Sequence, residues 1–94
     1  MTSAPTIDAV VRIPDDVLFQ ELQGEAVLLN LNTGLYFGLD PIGTRVWQLL
    51  SADGRLSAAV DALEREFDVT RDRAVEDLLA LTSELASHGL IAVT

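Results

Sequence analysis

The sequence predicts a small α+β domain, with an N-terminal antiparallel three-stranded sheet followed by three helices. Two observations carry this. Between Val17 and Leu39 the chain runs through β-prone apolar segments interrupted at Gln23-Gly24 and Asn32-Thr33-Gly34. At Asp40-Pro41 the apolar period changes from two to 3.6 and keeps that value to His88. Strands first and helices after, with no internal repeat or low-complexity linker, put the helices on one face of the sheet.

Taken in order, residues 1–9 are expected to be a flexible tail and residues 10–94 a single domain. Val10 to Pro14 reads as a short extended segment that Pro14 ends, and Asp15-Asp16 as a turn. Val17–Leu22 is a strand candidate, and Gln23-Gly24 suits a tight hairpin. In "VLLNLNTGLYFGL", Val27, Leu29 and Leu31 are expected on one face with Leu35, Phe37 and Leu39. Leu28 and Tyr36 are left outside, across a three-residue Asn-Thr-Gly loop.

Asp40 can cap the first helix, with Pro41 at its first position. Ile42, Val46, Leu49 and Leu50 recur on one helical face. Trp47 sits off that stripe, either as a cover for the core or as a contact at a protein interface. Asp53-Gly54 ends the helix. Ser57 can cap the second helix, with Leu56 before the cap and Val60, Leu63 and Phe67 on one side. Thr70 can cap the third, from about Arg71 to His88, with Val69 and Ala74 placed as a hydrophobic staple. Its inner stripe is Val75, Leu78, Thr82 and Leu85, widened by Leu79 and Leu81. Gly89 suits the left-handed position after it, with Leu90 folding back on Leu85. Leu90 to Val93 is a terminal extended piece.

Composition narrows the function. At 94 residues the chain holds one core and has no room for a deep cleft besides. It carries 15 acidic and 6 basic residues, a net charge of −9, which repels nucleic acid and anionic lipid surfaces. It contains no cysteine, which removes disulfides, thiolate metal sites and cysteine nucleophiles. No secretion signal or membrane span is legible, so a cytoplasmic location is expected. The one histidine, His88, has no nucleophile pattern beside it. No catalytic residue, metal site, phosphate loop or cofactor is indicated. The second and third helices have the order of a helix-turn-helix with a strand wing. From Thr70 to His88, however, two arginines stand against four carboxylates, which argues against a groove reader. The strand Leu35–Leu39 is aromatic and free of proline and charge, devices that usually protect a sheet edge.

The stretches "EAVLLNLNTGLYFGLDPIGTRVWQLL" and "VEDLLALTSELASHGLI" resemble the PqqD family of precursor-peptide recognition elements. The resemblance spans about Val17 to Val93. It rests on the apolar strand pair, on Gly43, Trp47, Leu49 and Leu50, on Val75, Asp77, Leu78 and Leu85, and on the His88-Gly89-Leu90-Ile91 ending. "VVRIPDDVLFQEL" and "NTGLYFGLD" look most like the stand-alone members of lasso-peptide clusters. The resemblance implies a winged helix-turn-helix-like fold and a non-enzymatic adaptor that binds the leader segment of a ribosomally made precursor. The leader would add as a strand to Leu35, Tyr36, Phe37, Gly38 and Leu39. The groove wall on the third helix would comprise Val75, Glu76, Leu79 and Thr82, with Ser83 beyond, and Asp72 and Glu76 would meet a basic leader residue. The implied partners are the leader peptide, a leader peptidase of the cysteine-protease type and an ATP-dependent lasso cyclase. A winged-helix transcription factor and a structural subunit of a larger enzyme are the rival expectations.

Overall fold

A computed structural model describes residues 6–94. Part of the expected tail, residues 1–5, lies outside the described residues. Residues 6–9 form a turn from which Ile7 and Ala9 pack on the core. The elements are β1 (Val11–Arg12), β2 (Val17–Leu22), β3 (Glu25–Asn30), β4 (Leu35–Leu39), α1 (Pro41–Ala52), α2 (Leu56–Glu66), α3 (Arg71–Ser87) and β5 (Ala92–Val93).

Strands β2, β3 and β4 form an antiparallel sheet in that order. Gln23 and Gly24, both at positive φ, make the tight β2–β3 turn. A second, two-stranded sheet pairs β1 with β5, joining the two ends of the domain. Neither the pairing of these short pieces nor their docking was legible in the sequence. Val11 N–H donates to Gly54 O at 2.7 Å and Leu56 N–H to Ala9 O at 3.2 Å. This backbone docking starts α2 at Leu56, so Ser57 lies inside the helix rather than capping it.

The β3–β4 hairpin differs from the expected one by one residue, and this inverts a strand. Asn30 pairs with Leu35, Leu28 with Phe37 and Ala26 with Leu39, around a four-residue loop. Ala26, Leu28 and Asn30 therefore face the helices, while Val27, Leu29 and Leu31 face outward. The cause is Asn30. Its buried amide oxygen accepts from Asn32 N–H at 2.9 Å and Thr33 N–H at 3.4 Å, and its Nδ2 donates to His88 O at 3.2 Å. A polar side chain satisfied in this way is stable on the inner face.

At α1 and α3 the capping signals hold. Asp40 accepts from Gly43 N–H at 2.7 Å and Thr70 from Arg73 N–H at 3.2 Å, capping α1 and α3. After α3, Gly89 takes φ 70°, and Leu90 N–H returns to Leu85 O at 3.0 Å as a Schellman close. The inner face of α1 is rotated from the expected stripe. Trp47 is buried and stacks on Phe19 at 6.3 Å, whereas Ile42 is 52% exposed. Trp47 is thus a core residue.

Asn30→Ala removes the bonds that hold the hairpin loop to the end of α3. It is expected to lower stability by about 1–2 kcal/mol, a fall in Tm of roughly 4–16 °C, read by thermal melting.

Candidate functional site

Strand β4 has β3 on one side and no backbone partner on the other, among the described residues. The flank of α3 runs alongside this free edge. Between them lies an open groove of about 430 Å³. Phe37, Gly38 and Leu39 contribute from β4, Ile42 and Val46 from α1, and Asp77, Leu78, Leu81 and Glu84 from α3. A second hollow of about 380 Å³ continues past Phe37 between Leu35, Tyr36 and His88. Phe37 divides the two, packing edge-on against the His88 ring at 5.1 Å.

The residues expected on the strand all lie along this unpaired edge. Leu35 and Tyr36 are 64% and 73% exposed, Phe37 is half-buried and turned inward, Gly38 is open and Leu39 is buried. The residues expected on α3 do not line this groove. Asp77, Leu81, Glu84 and His88 repeat every three to four residues and form the flank of α3 beside β4. Asp72, Val75, Glu76, Leu79 and Ser83 lie on the opposite flank, none of them lining the groove. Val75 and Leu79 pack there half-buried on the core, and Asp72, Glu76 and Ser83 are exposed. Thr82 is fully buried, its hydroxyl donating to Leu78 O at 2.7 Å. Ile42, Leu81 and Glu84 line the groove without having been singled out for it in the sequence, together with Asp77, whose role was open; His88 lines the adjoining hollow. Leu79 and Leu81 flank the inner stripe symmetrically, so hydropathy alone does not select the side that faces the sheet.

The groove has an apolar floor and a carboxylate rim. Asp40, Asp77 and Glu84 line it, with no lysine or arginine among the lining residues. Asp77 is held by Arg73 at 3.0 Å, a hydrogen bond that raises the Arg73 pKa above its ordinary value. Arg71 bonds Asp61 and Glu64 on α2 at 2.9 and 2.7 Å. Both arginines of the would-be recognition helix are thus engaged by carboxylates, which disfavours phosphate contacts. The outer face of the sheet is a separate apolar surface, where Leu18, Leu29 and Tyr36 form one cross-strand row. No helix of the described residues is long and apolar enough to cross a membrane.

The PqqD family, described as coenzyme PQQ synthesis protein D, matches residues 25–91. Among solved structures, TbiB1 in complex with the TbiA(beta) leader peptide is 40% identical with a TM-score of 0.82, over 85% of this chain and 93% of that one. The lasso peptide synthetase B1 complexed with the leader peptide is 23% identical with a TM-score of 0.72, over 87% and 96%. That second likeness speaks to the fold alone. A comparison with curated proteins returns no match.

The geometry separates two substitutions. For an extended peptide that occupies this groove, Leu81→Glu is expected to weaken binding by about tenfold or more, as for loss of a buried apolar anchor. Leu79→Glu, on the far flank, is expected to leave affinity within about twofold once its effect on stability is taken into account. Peptide titration of both variants checks this.

Proposed function

The chain belongs to the PqqD family, and on that premise we propose that it binds the leader segment of a lasso-type precursor peptide as an added strand beside β4. The observation that carries this reading is the free edge of Leu35–Leu39 facing the α3 groove. A 40% identical protein whose structure is that of a leader-peptide complex supports it.

The chemistry is that of β-augmentation: backbone bonds give affinity and pockets for alternate side chains give specificity. Ordering a free peptide opposes binding by about 1–2 kcal/mol per residue fixed. A net gain of about 0.5–1.5 kcal/mol per backbone hydrogen bond does not by itself offset that. The balance falls to apolar anchors, at roughly 1.5–3 kcal/mol for each side chain fully buried. Phe37, Leu39, Ile42 and Leu81 supply the surface for them. The carboxylate rim favours a basic leader residue beside the anchor, with Asp77 and Glu84 in the part that the sequence assigned to Asp72 and Glu76.

In this reading the protein is a cytoplasmic, non-catalytic adaptor. It delivers the bound precursor to a leader peptidase of the cysteine-protease type and an ATP-dependent cyclase. The outer sheet face offers apolar area for one of them, the peptidase. A second copy of this chain is a poor occupant, because two molecules of charge −9 repel.

Titration of a fluorescent leader, either TbiA(beta) or that of a precursor encoded beside this chain, is expected to saturate below tens of micromolar. Absence of saturable binding in that range overturns the proposal. Leu18→Glu, on the outer face, is expected to leave leader affinity unchanged while slowing peptidase-catalysed leader removal about tenfold or more, measured with purified peptidase.

A further inference from the structure

An antiparallel sheet with one face in water ordinarily alternates, apolar inward and polar outward. This sheet does not. Its outer face carries the row Leu18–Leu29–Tyr36 and, beside it, Leu22 and Val27. Leu18 is 50% and Leu22 74% exposed, and Val27 is uncovered too. A contiguous uncovered apolar surface of this kind marks a place of association. The charge around it has one sign. From Ile13 to Thr44 the chain carries Asp15, Asp16, Glu21, Glu25 and Asp40 and no lysine, arginine or histidine. Glu25 and Asp40 border a hollow of about 410 Å³ over Leu22 and Val27, at one end of the face. Asp16 stands at the other end, where Leu31 N–H donates to its carbonyl at 2.9 Å.

We infer that the partner on this face engages it through one amphipathic helix whose apolar stripe is flanked by lysine or arginine. The inference rests on the docking of the peptidase proposed above and names the element that docks. The face of a sheet offers side chains and no free main-chain groups, because its hydrogen bonds lie in the plane of the sheet. An occupant must therefore satisfy its own backbone, as a helix does. The dimensions agree. Three strands spaced about 4.8 Å apart span about 10 Å, the diameter of one helix with its side chains. Leu18 and Leu22, four residues apart along β2, are separated by about 13 Å. Residues i and i+8 of a helix are about 12 Å apart, so a stripe at i, i+4 and i+8 spans the face in about three turns. Such a helix adds a third layer to a sheet that the chain itself covers on the inner face only. Its flanking cations meet the carboxylates at both ends of the face, whereas an acidic helix is repelled.

The test is photo-crosslinking of the full chain to the purified peptidase encoded beside it. A benzophenone side chain replaces Leu18 in one variant and Leu22 in another, and the adducts are mapped by mass spectrometry. They are expected on one peptidase segment with apolar residues every three or four positions and lysine or arginine beside them. A synthetic peptide of that segment is expected to gain helical circular dichroism when the unaltered chain is added. Glu25→Lys keeps the apolar face and is expected to weaken peptidase association about fivefold or more at low salt, with the difference shrinking in about 0.5 M salt. Leader titration of every variant, with affinity unchanged, shows that its fold is intact. Adducts on a strand or on a segment without basic residues, or an unchanged association in Glu25→Lys, overturn the basic helix and leave peptidase docking standing. Absence of adducts at both positions overturns docking on this face as well, while leader binding is judged by its own titration.

Discussion

The buried amide of Asn30 is the constraint on which the site depends. With one end it closes the β3–β4 loop, and with the other it holds the carbonyl of His88, the residue that caps α3. The hairpin and the helix thereby share a fixed point at one end of the groove, beside the Phe37–His88 contact. Towards the other end, Leu39 and Val46 are buried together with Leu78 in the one core. Between these two ties the flank of α3 stands beside β4 without hydrogen-bonding to it, because a helix has no free main-chain groups in its middle. The result is an edge that is flanked yet unpaired.

Such an edge is a liability in a monomer, since exposed strands template association. Here the surroundings restrict what joins it. The groove walls demand apolar side chains at alternate positions, the carboxylate rim disfavours an acidic visitor, and the net charge opposes pairing between copies. The specificity of a recognition protein then resides in side chains around a generic backbone acceptor. The helix-turn-helix arrangement lacks its usual chemistry, because both arginines of α3 near the turn are bound to carboxylates.

Much of this was legible from local chemistry. The caps at Asp40 and Thr70, the Gly89 close and the strand limits of β2 and β4 depend on residues near in sequence, and each is where the sequence indicated. The inversion of β3 was not legible, because Val27-Leu28-Leu29 is apolar on both parities. Asn30 then looked like an outer residue until its partner 58 positions away was known. The same holds for α3. Leu79 and Leu81 are equivalent to a hydropathy pattern, and only the three-dimensional path of the sheet decides between them. The course of β4 and the inward turn of Phe37 and Leu39 depend on alternation along the strand and were legible. Which flank of α3 stands beside β4 depends on tertiary handedness, which no local pattern carries, and it is the flank of Asp77, Leu81 and Glu84 rather than that of Asp72 and Glu76.

The central claim is that a visiting strand completes the sheet at β4. Isotope-edited NMR of the labelled protein with an unlabelled leader peptide tests it most directly. The account predicts main-chain cross-strand contacts between the peptide and alternate residues of Leu35–Leu39, with slowed exchange of the β4 amides that point to the free edge. Peptide contacts confined to the flank of Asp72, Glu76 and Ser83, with β4 exchange unaltered, would contradict it.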